Sequence, residues 1–412
     1  MKENFKAVCN YVIIFLKWIL IAVITGAVGG FIGTTFHVAV EKATEIRLEN
    51  PAIIYLLPLS GLFIVFLYKI FKASHKLGTN NVIKSARAEE KLPWVLAPLI
   101  FISTTITHLF GGSAGREGAA LQLGGSIGTV VGRVFRLDKK NLATVVCCGM
   151  SAVFSALFGT PITATFFVLE VLNVGIMQYS TLVPSLFASI SAFGISLMLG
   201  VEPVWFGLKM IPEINLENVV KVVGVGAVCA VVSIVFCVVM EEIHKLYSKH
   251  IKNLYVRAFA GGVIVVLLTL LVGTYDYNGA GMDVVSNALL GNAKPEAFIL
   301  KIIFTAITIG AGFKGGEIVP TFFIGSTLGC ILGGFFGLDA SFCAALGLIG
   351  LFCGVVNCPV ASIILSIELF GAEGLIFFSV IVAVCYVLSG YFGLYSSQKI
   401  IYSKLKAEEL LK

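Results

Sequence analysis

Residues 111–118 read Gly-Gly-Ser-Ala-Gly-Arg-Glu-Gly, which places one carboxylate, Glu117, in a glycine-rich break between two apolar segments. An ionisable side chain at membrane depth is costly and is normally retained for function. Irregular backbone is tolerated there only where it is buried in protein or lines a watery cavity. The stretch therefore points to an ion or proton pathway with Glu117 on it. A second break, Gly315-Gly316-Glu317-Ile318-Val319-Pro320, stands before another apolar segment. Each break precedes a short helix and offers unpaired N–H groups at a positive dipole end, a geometry that binds anions without a buried cation. Two such ends brought together make an anion site, with the Glu117 carboxylate able to compete for it.

The elements that must position these groups are membrane helices. Of 412 residues, 58% are hydrophobic and 13% charged, with a mean hydropathy of +0.98. That is far more apolar and less charged than a soluble domain. Long continuous apolar runs, in place of short alternating segments, favour helices over a β-barrel. The N-terminal apolar run is too long for a signal peptide and lacks a clear cleavage site, so it reads as a retained first helix. The ten cysteines lie mostly inside apolar segments without a CxxC, and there are five histidines. They read as small buried hydrophobes, and no metal or cofactor is expected. A net charge of +6 fits Lys and Arg in cytoplasmic loops, and no basic soluble domain for nucleic acid is expected.

Segments 119–134, 161–174 and 359–370 are short for a bilayer, and half-length helices are how transporters aim helix ends at an ion. The charged stretch 241–257 reads as an interfacial helix joining two halves, and 399–412 as a basic amphipathic tail. Residues 101–138 align without a gap on 302–339, an offset of 201 residues, with Thr104 on Thr305, Gly115 on Gly316 and Asp138 on Asp339. Beyond a three-residue deletion the match resumes at an offset of 198, with Pro161 on Pro359 and Glu170 on Glu368. Polar matches at nearly one offset argue against coincidence. The expectation is a single transmembrane domain with repeats at about 51–200 and 256–390 and no soluble cytoplasmic domain.

The motifs Gly112-Ser113-Ala114-Gly115-Arg116-Glu117-Gly118, Gly315-Gly316-Glu317-Ile318-Val319-Pro320 and Gly393-Leu394-Tyr395-Ser396, in that order, resemble those of the CLC family of anion channels and proton-coupled antiporters. The resemblance covers nearly the whole chain. It implies an all-α inverted-repeat fold with broken helices and a homodimer with one pore per subunit. It also implies Glu117 as the gating glutamate and a Tyr395 hydroxyl on the central anion. Chloride-type members carry Gly-Ser-Gly-Ile-Pro where this chain reads Gly78-Thr79-Asn80-Asn81-Val82-Ile83, and the internal proton glutamate falls where this chain has Val171. Those departures are similar to the CLC-F branch of bacterial fluoride/proton antiporters, although Val319 stands where that branch often has threonine.

Fluoride is small and strongly hydrated, so its pathway needs strong hydrogen-bond donors, and an amide from Asn80 or Asn81 supplies them. Either Thr79 or Asn80 replaces the pore serine, with Asn80 preferred. The expected anion-binding set is Thr79, Asn80, Asn81, Gly115, Arg116, Gly118, Ile318, Val319 and Tyr395, and Glu117 serves as both proton carrier and anion surrogate. Arg116 reads as a local structural partner ahead of an anion ligand, Glu170 and Glu368 as caps or packing groups (a one-residue slip in the alignment would make Glu170 the internal proton glutamate), Glu317 as a satisfier of backbone donors, and Lys314 equally as a source of positive potential or a topology signal. The function implied is proton-coupled fluoride export across the plasma membrane, by a secondary transporter and not an enzyme. The alternative is a chloride/proton exchanger or passive chloride channel. An intramembrane protease would need a Ser–His or paired-Asp arrangement, and the few histidines sit at segment ends. A non-transporting scaffold would not need charged glycine breaks in both halves.

Overall fold

In the computed structural model, which describes residues 2–410 apart from Lys209 and Ala407, the helices fall into two sets of eight. The first comprises α1 (Lys2–Glu49), α2 (Leu57–Ile70), α3 (Thr79–Ala86), α4 (Leu96–Leu109), α5 (Glu117–Val134), α6 (Lys139–Phe158), α7 (Pro161–Val171) and α8 (Leu182–Met198). The second comprises α9 (Leu216–His250), α10 (Leu254–Val272), α11 (Met282–Leu289), α12 (Ala297–Ala311), α13 (Ile318–Phe336), α14 (Ala340–Val356), α15 (Pro359–Phe370) and α16 (Leu375–Leu388). Among the described residues, seven helices are long and apolar enough to cross a membrane. The two-residue strands β1 (Asn173–Val174) and β2 (Lys399–Ile400) pair in parallel.

Helix boundaries repeat between the sets because the local chemistry repeats. Asp138 accepts a hydrogen bond from Asn141 N at the start of α6, and Asp339 accepts one from Phe342 N at the start of α14, both 2.8 Å. Side-chain caps of this kind satisfy amides that the helix itself leaves open. α6 ends on Gly159 and α14 on Asn357, both left-handed with φ of 69° and 58°, the conformation glycine and asparagine tolerate best. Pro161 and Pro359 then open α7 and α15, where a missing N–H costs nothing.

The sets run in opposite senses through the membrane. Contacts place residues 69–91, 241–257 and 391–406 on one face: Lys399 pairs with Glu89 at 2.6 Å, Arg87 donates to Ser397 O, and the Lys69 ammonium lies 5.9 Å from the Tyr255 ring centroid. That face carries Lys69, Lys72, Lys76, Lys84, Arg87, Lys91, Lys245, Lys249, Lys252 and Arg257. On the opposite face Asn278 donates to Gly111 O, and the acids Asp276, Asp283 and Glu296 accumulate. A Lys/Arg excess marks the cytoplasmic side. α1 therefore leaves that side, while its mate α9 returns to it.

Four expectations change. Helices α3 and α11 were not foreseen; each has eight residues, too short to register as an apolar run. The 241–257 stretch is no separate interfacial helix: α9 continues to His250, and α10 starts at Leu254 after a short break. Its Glu241, Glu242 and Lys245 simply carry an apolar helix out of the membrane with i, i+3 and i, i+4 ion pairs. The 399–412 tail forms β2 and a Tyr402–Glu409 bridge where an amphipathic stretch was expected, and Leu411 and Lys412 lie outside the described residues. Segment 119–134 also belongs to a longer helix, the 18-residue α5, while α7 and α15 have 11 and 12 residues.

Glycines set the closest helix contacts. A Cβ on Gly149 of α6 would lie 2.1 Å from Gly124 O of α5, and one on Gly347 of α14 would lie 2.2 Å from Gly325 O of α13. These backbones touch, as small residues permit within membranes. Gly149→Val is expected to force α5 and α6 apart at a cost of about 1–3 kcal/mol or more. A lowered unfolding midpoint in detergent checks this, and an unchanged midpoint would show that the contact is dispensable.

Candidate functional site

The two glycine breaks meet face to face. Gly115 N donates to Gly316 O at 2.7 Å, and Gly316 N donates to Gly115 O at 2.6 Å, an antiparallel exchange between repeat mates. That reciprocal pairing lies on the pseudo-twofold of the fold and aims the N-termini of α5 and α13 at one region. No side chain fits between the breaks: a Cβ on Gly316 would lie 2.3 Å from Gly118 N, and one on Gly315 2.5 Å from Ala114 Cβ.

Glu117 is fully buried at this junction. One carboxylate oxygen accepts from Arg116 N at 3.0 Å. The other has no hydrogen-bond partner and lies 3.6 Å from Arg116 Nε. Val319, on the opposing helix end, stands close by: a Cβ on Gly115 would lie 2.7 Å from Glu117 Oε2 and 3.0 Å from Val319 Cβ. A side-chain anion thus sits against helix N-termini, where a free anion is also favoured. Val319 and Ile318 supply backbone at this point, and both side chains are buried. Gly118 lies between the halves: a Cβ there would be 2.9 Å from Gly316 Cα, 3.2 Å from Glu317 Oε2 and 3.5 Å from Thr79 Oγ1.

Thr79, not Asn80, faces this region. Its hydroxyl donates to Gly118 O and accepts from Gln122 Nε2, each at 3.3 Å. The preference for Asn80 is corrected by one residue: Asn80 Oδ1 accepts from Ser397 N at 2.9 Å and so holds the loop that follows Tyr395. Asn81 is corrected too. Its Oδ1 accepts from Gly78 N at 3.1 Å and its amide donates to Glu90, away from the junction, because it closes the first turn of α3. Tyr395 is buried with an unpartnered hydroxyl. Arg116 turns its guanidinium toward Glu117 and, at longer range, Glu41.

Two further groups stand at the junction. Glu317, read from the sequence as a satisfier of backbone donors, shares the Gly118 neighbourhood as the repeat mate of Arg116. Gln122, one turn into α5, was missed because a single amide in an apolar helix carries no pattern. Glu170 and Glu368 act as caps across the repeat: Glu170 accepts from Val360 N and Ala361 N at 3.1 and 2.7 Å, and Glu368 from Ile162 N and Thr163 N at 2.9 and 2.8 Å. With Glu170 so held and Val171 fully buried, neither side chain is free to swing.

The Tyr395 loop is fastened from outside the membrane segments. Arg87 donates to Leu172 O, and Glu89 takes Arg87 Nη2 at 2.8 Å and Lys399 Nζ at 2.6 Å. Hydrogen bonds from Arg87 and then Lys399 hold the Glu89 carboxyl down at about 2, from an ordinary 4.5.

A family model described as "Voltage gated chloride channel" matches residues 60–390. The chain is 31% identical over 395 residues to the "Chloride/fluoride channel protein" of Pseudomonas syringae pv. tomato, covering 94% of this chain and 87% of that one. It is 24% identical over 385 residues to the "H(+)/Cl(-) exchange transporter ClcA" of Salmonella arizonae, covering 86% and 81%. Among solved structures, one described as "Crystal structure of a CLC-type fluoride/proton antiporter" superposes with a TM-score of 0.91 at 33% identity, covering 93% of this chain and 98% of that one. The chain belongs to the CLC family of anion-transport proteins.

Because the Glu89 pKa is lowered to about 2, its clamp contributes stability in full above pH 4.5 and loses it as pH falls toward 2. Amide protection at Ser397–Lys399, measured relative to the intrinsic exchange rate at each pH, is expected to fall across that window, and in Lys399→Ala to fall from a higher pH; pH-independent protection would refute the clamp. Thr79→Val is expected to alter anion selectivity, whereas Asn80→Ala slows transport of all anions by loosening the Tyr395 loop. Anion competition in reconstituted vesicles separates the two, and selectivity changes in Asn80→Ala alone would reverse the assignment.

Proposed function

We propose that the protein exports fluoride in exchange for protons, with Glu117 as proton carrier and anion surrogate. The observation that carries the proposal is the Glu117 carboxylate, fully buried at two opposed helix N-termini with one oxygen unpartnered. Ionised, it occupies the place a free anion would take. Protonated, it loses its attraction to the helix ends, leaves the path to the anion, and gains an O–H that a fluoride ion can accept.

Several features favour fluoride. The donors we assign to the ion are the Tyr395 hydroxyl, the backbone amides of the helix ends at Gly118 and Val319, and the Thr79 hydroxyl once its proton turns from Gly118 O to the ion; such groups suit a small, strongly hydrated ion. Val171 offers no second proton group on the route where chloride exchangers carry a glutamate, so one carboxylate must serve both ions. The relatives described as a chloride/fluoride channel and a fluoride/proton antiporter agree in kind. Because HF enters cells and dissociates in the more alkaline interior, proton-driven efflux of the trapped ion is the useful direction. We place the protein in the plasma membrane as a homodimer with one pore per subunit. Ile162, Ile190 and Ile376, on α7, α8 and α16, are 46–51% exposed and provide apolar surface for lipid or a second copy; a monomeric mass in detergent would refute the dimer.

Liposomes loaded with fluoride or chloride test the reading directly. Fluoride efflux with a fixed ratio of proton uptake is expected, with chloride slower; equal or faster chloride movement would remove the fluoride assignment. Glu117→Gln is expected to keep fold and oligomer while abolishing proton-coupled pumping, and uphill transport in that variant would refute the role of Glu117.

A further inference from the structure

Lys301, Thr305 and Thr308 of α12 are spaced to share one helix face, and all three reach the first glycine break or the loop that braces it. Thr308 Oγ1 accepts from Ser113 N, and the Thr305 and Ser113 hydroxyls bond each other, both at 3.1 Å. Lys301 is fully buried and donates to Tyr277 O at 3.2 Å and to Gly279 O at 2.8 Å. Its ammonium lies 4.9 Å from the centroid of the Phe323 ring. The 277–279 loop in turn grips the break: Asn278 Nδ2 donates to Gly111 O at 2.9 Å, and Gly279 N donates to Gly112 O at 3.2 Å. Gly111, Gly112 and Ser113, which lead into Glu117, are thus each fastened to the opposite half.

The matching face of α4 makes no such hold. At the offset of 201, Ile100, Thr104 and Thr107 stand in the places of Lys301, Thr305 and Thr308. Thr104 Oγ1 has no partner, and Thr107 Oγ1 donates within its own helix, to Ser103 O. The mate of Thr79 is Ala280, so the outer loop brings no hydroxyl toward the junction. An ammonium buried in a membrane segment is costly and is normally retained for function. Lys301 forms no ion pair among the described residues, and its charge is met by two carbonyls and a ring face. Those carbonyls flank Asn278, so holding both fixes the amide that reaches Gly111. We propose that the Lys301–Thr305–Thr308 face is a positioning device that holds the backbone of the Glu117 break in place. Only the Glu117 side chain then leaves the junction, and only on protonation. Without the hold, the break shifts while Glu117 is still ionised, and the anion passes without a proton.

The inference rests on the transport reading above. With the full chain in liposomes, fluoride efflux unaccompanied by proton uptake is read beside total efflux. Lys301→Met is expected to raise the uncoupled part roughly tenfold, the shift that one charge-assisted hydrogen bond holds back. Lys301→Arg should keep coupling near native, and Thr305→Val should raise uncoupled efflux roughly threefold, for one neutral hydrogen bond. Combined with Glu117→Gln, Lys301→Met should add no efflux, because its action runs through the Glu117 carboxylate. A native proton-to-fluoride ratio in a well-folded Lys301→Met overturns the proposal. So does a leak in Lys301→Arg equal to that in Lys301→Met, or added efflux in the Glu117→Gln background, since those mark a lysine that only supports the fold. Should Lys301→Met not fold, Thr305→Val, which removes a single hydroxyl, decides on the ratio and on the Glu117→Gln comparison. If the native protein moves chloride in preference, or moves no protons, the fluoride/proton reading fails separately. The comparison is then made on total flux of the preferred anion, and an equal rise with and without the Glu117 carboxylate overturns the positioning role.

Discussion

The backbone exchange between Gly115 and Gly316 is the contact on which the site depends. Two hydrogen bonds of 2.7 and 2.6 Å tie together loops that would otherwise each present unsatisfied amides inside a membrane. Such amides are severely penalised where water is absent. Pairing the breaks with each other removes that penalty for one residue of each and leaves the next amides directed at the junction. The positions are glycine because the backbones touch, and even a methyl on Gly316 would overlap Gly118 N. Once this pair forms, α5 and α13 must approach with their positive ends together. The reciprocal caps from Glu170 and Glu368 repeat the arrangement farther along the interface, each carboxylate closing the helix of the other half.

This symmetry positions the groups and does not make them equivalent. The mate of Arg116 is Glu317, and the mate of Ser113 is Lys314. One break therefore carries Arg-Glu and the other Lys-Gly-Gly-Glu, so the charges at the two mouths differ although the backbone is nearly the same. Thr79 and Tyr395 approach from one side only, with Tyr395 carried on a loop after the last helix and fastened by Asn80, Arg87 and Glu89. A duplicated scaffold supplies an anion-friendly point, and unrepeated side chains give it direction.

Much of this was legible because glycine, proline and aspartate mark positions that backbone geometry makes hard to vary. The offset of 201 put Gly115 opposite Gly316 before any coordinates, and the structure joins those two residues. Asp138 and Asp339, aligned by the same offset, cap equivalent helices. The apolar runs located the long helices. Register within a polar motif was harder: Thr79, Asn80 and Asn81 offer similar donors in succession, and only the helical turn of α3 sends them three different ways. Helices α3 and α11 escaped notice because eight residues leave no sustained periodicity. The charged end of α9 looked like a separate element because polarity changes where the helix leaves lipid, while its backbone continues.

The presence of a carboxylate at the best anion position has a direct physical consequence. A fixed negative group lowers the affinity of the site for a free anion by occupying its donors, so anion entry requires that the group either move or be neutralised. Movement alone would give a channel-like leak, since it changes no charge and consumes no proton. Neutralisation ties each opening to a proton, and the buried, partnerless oxygen of Glu117 is the atom that can take it. Glu170 is held by two backbone amides and Val171 carries no ionisable group. In the function we propose, proton and anion share the Glu117 junction, and coupling would follow from that sharing instead of from two pathways that meet.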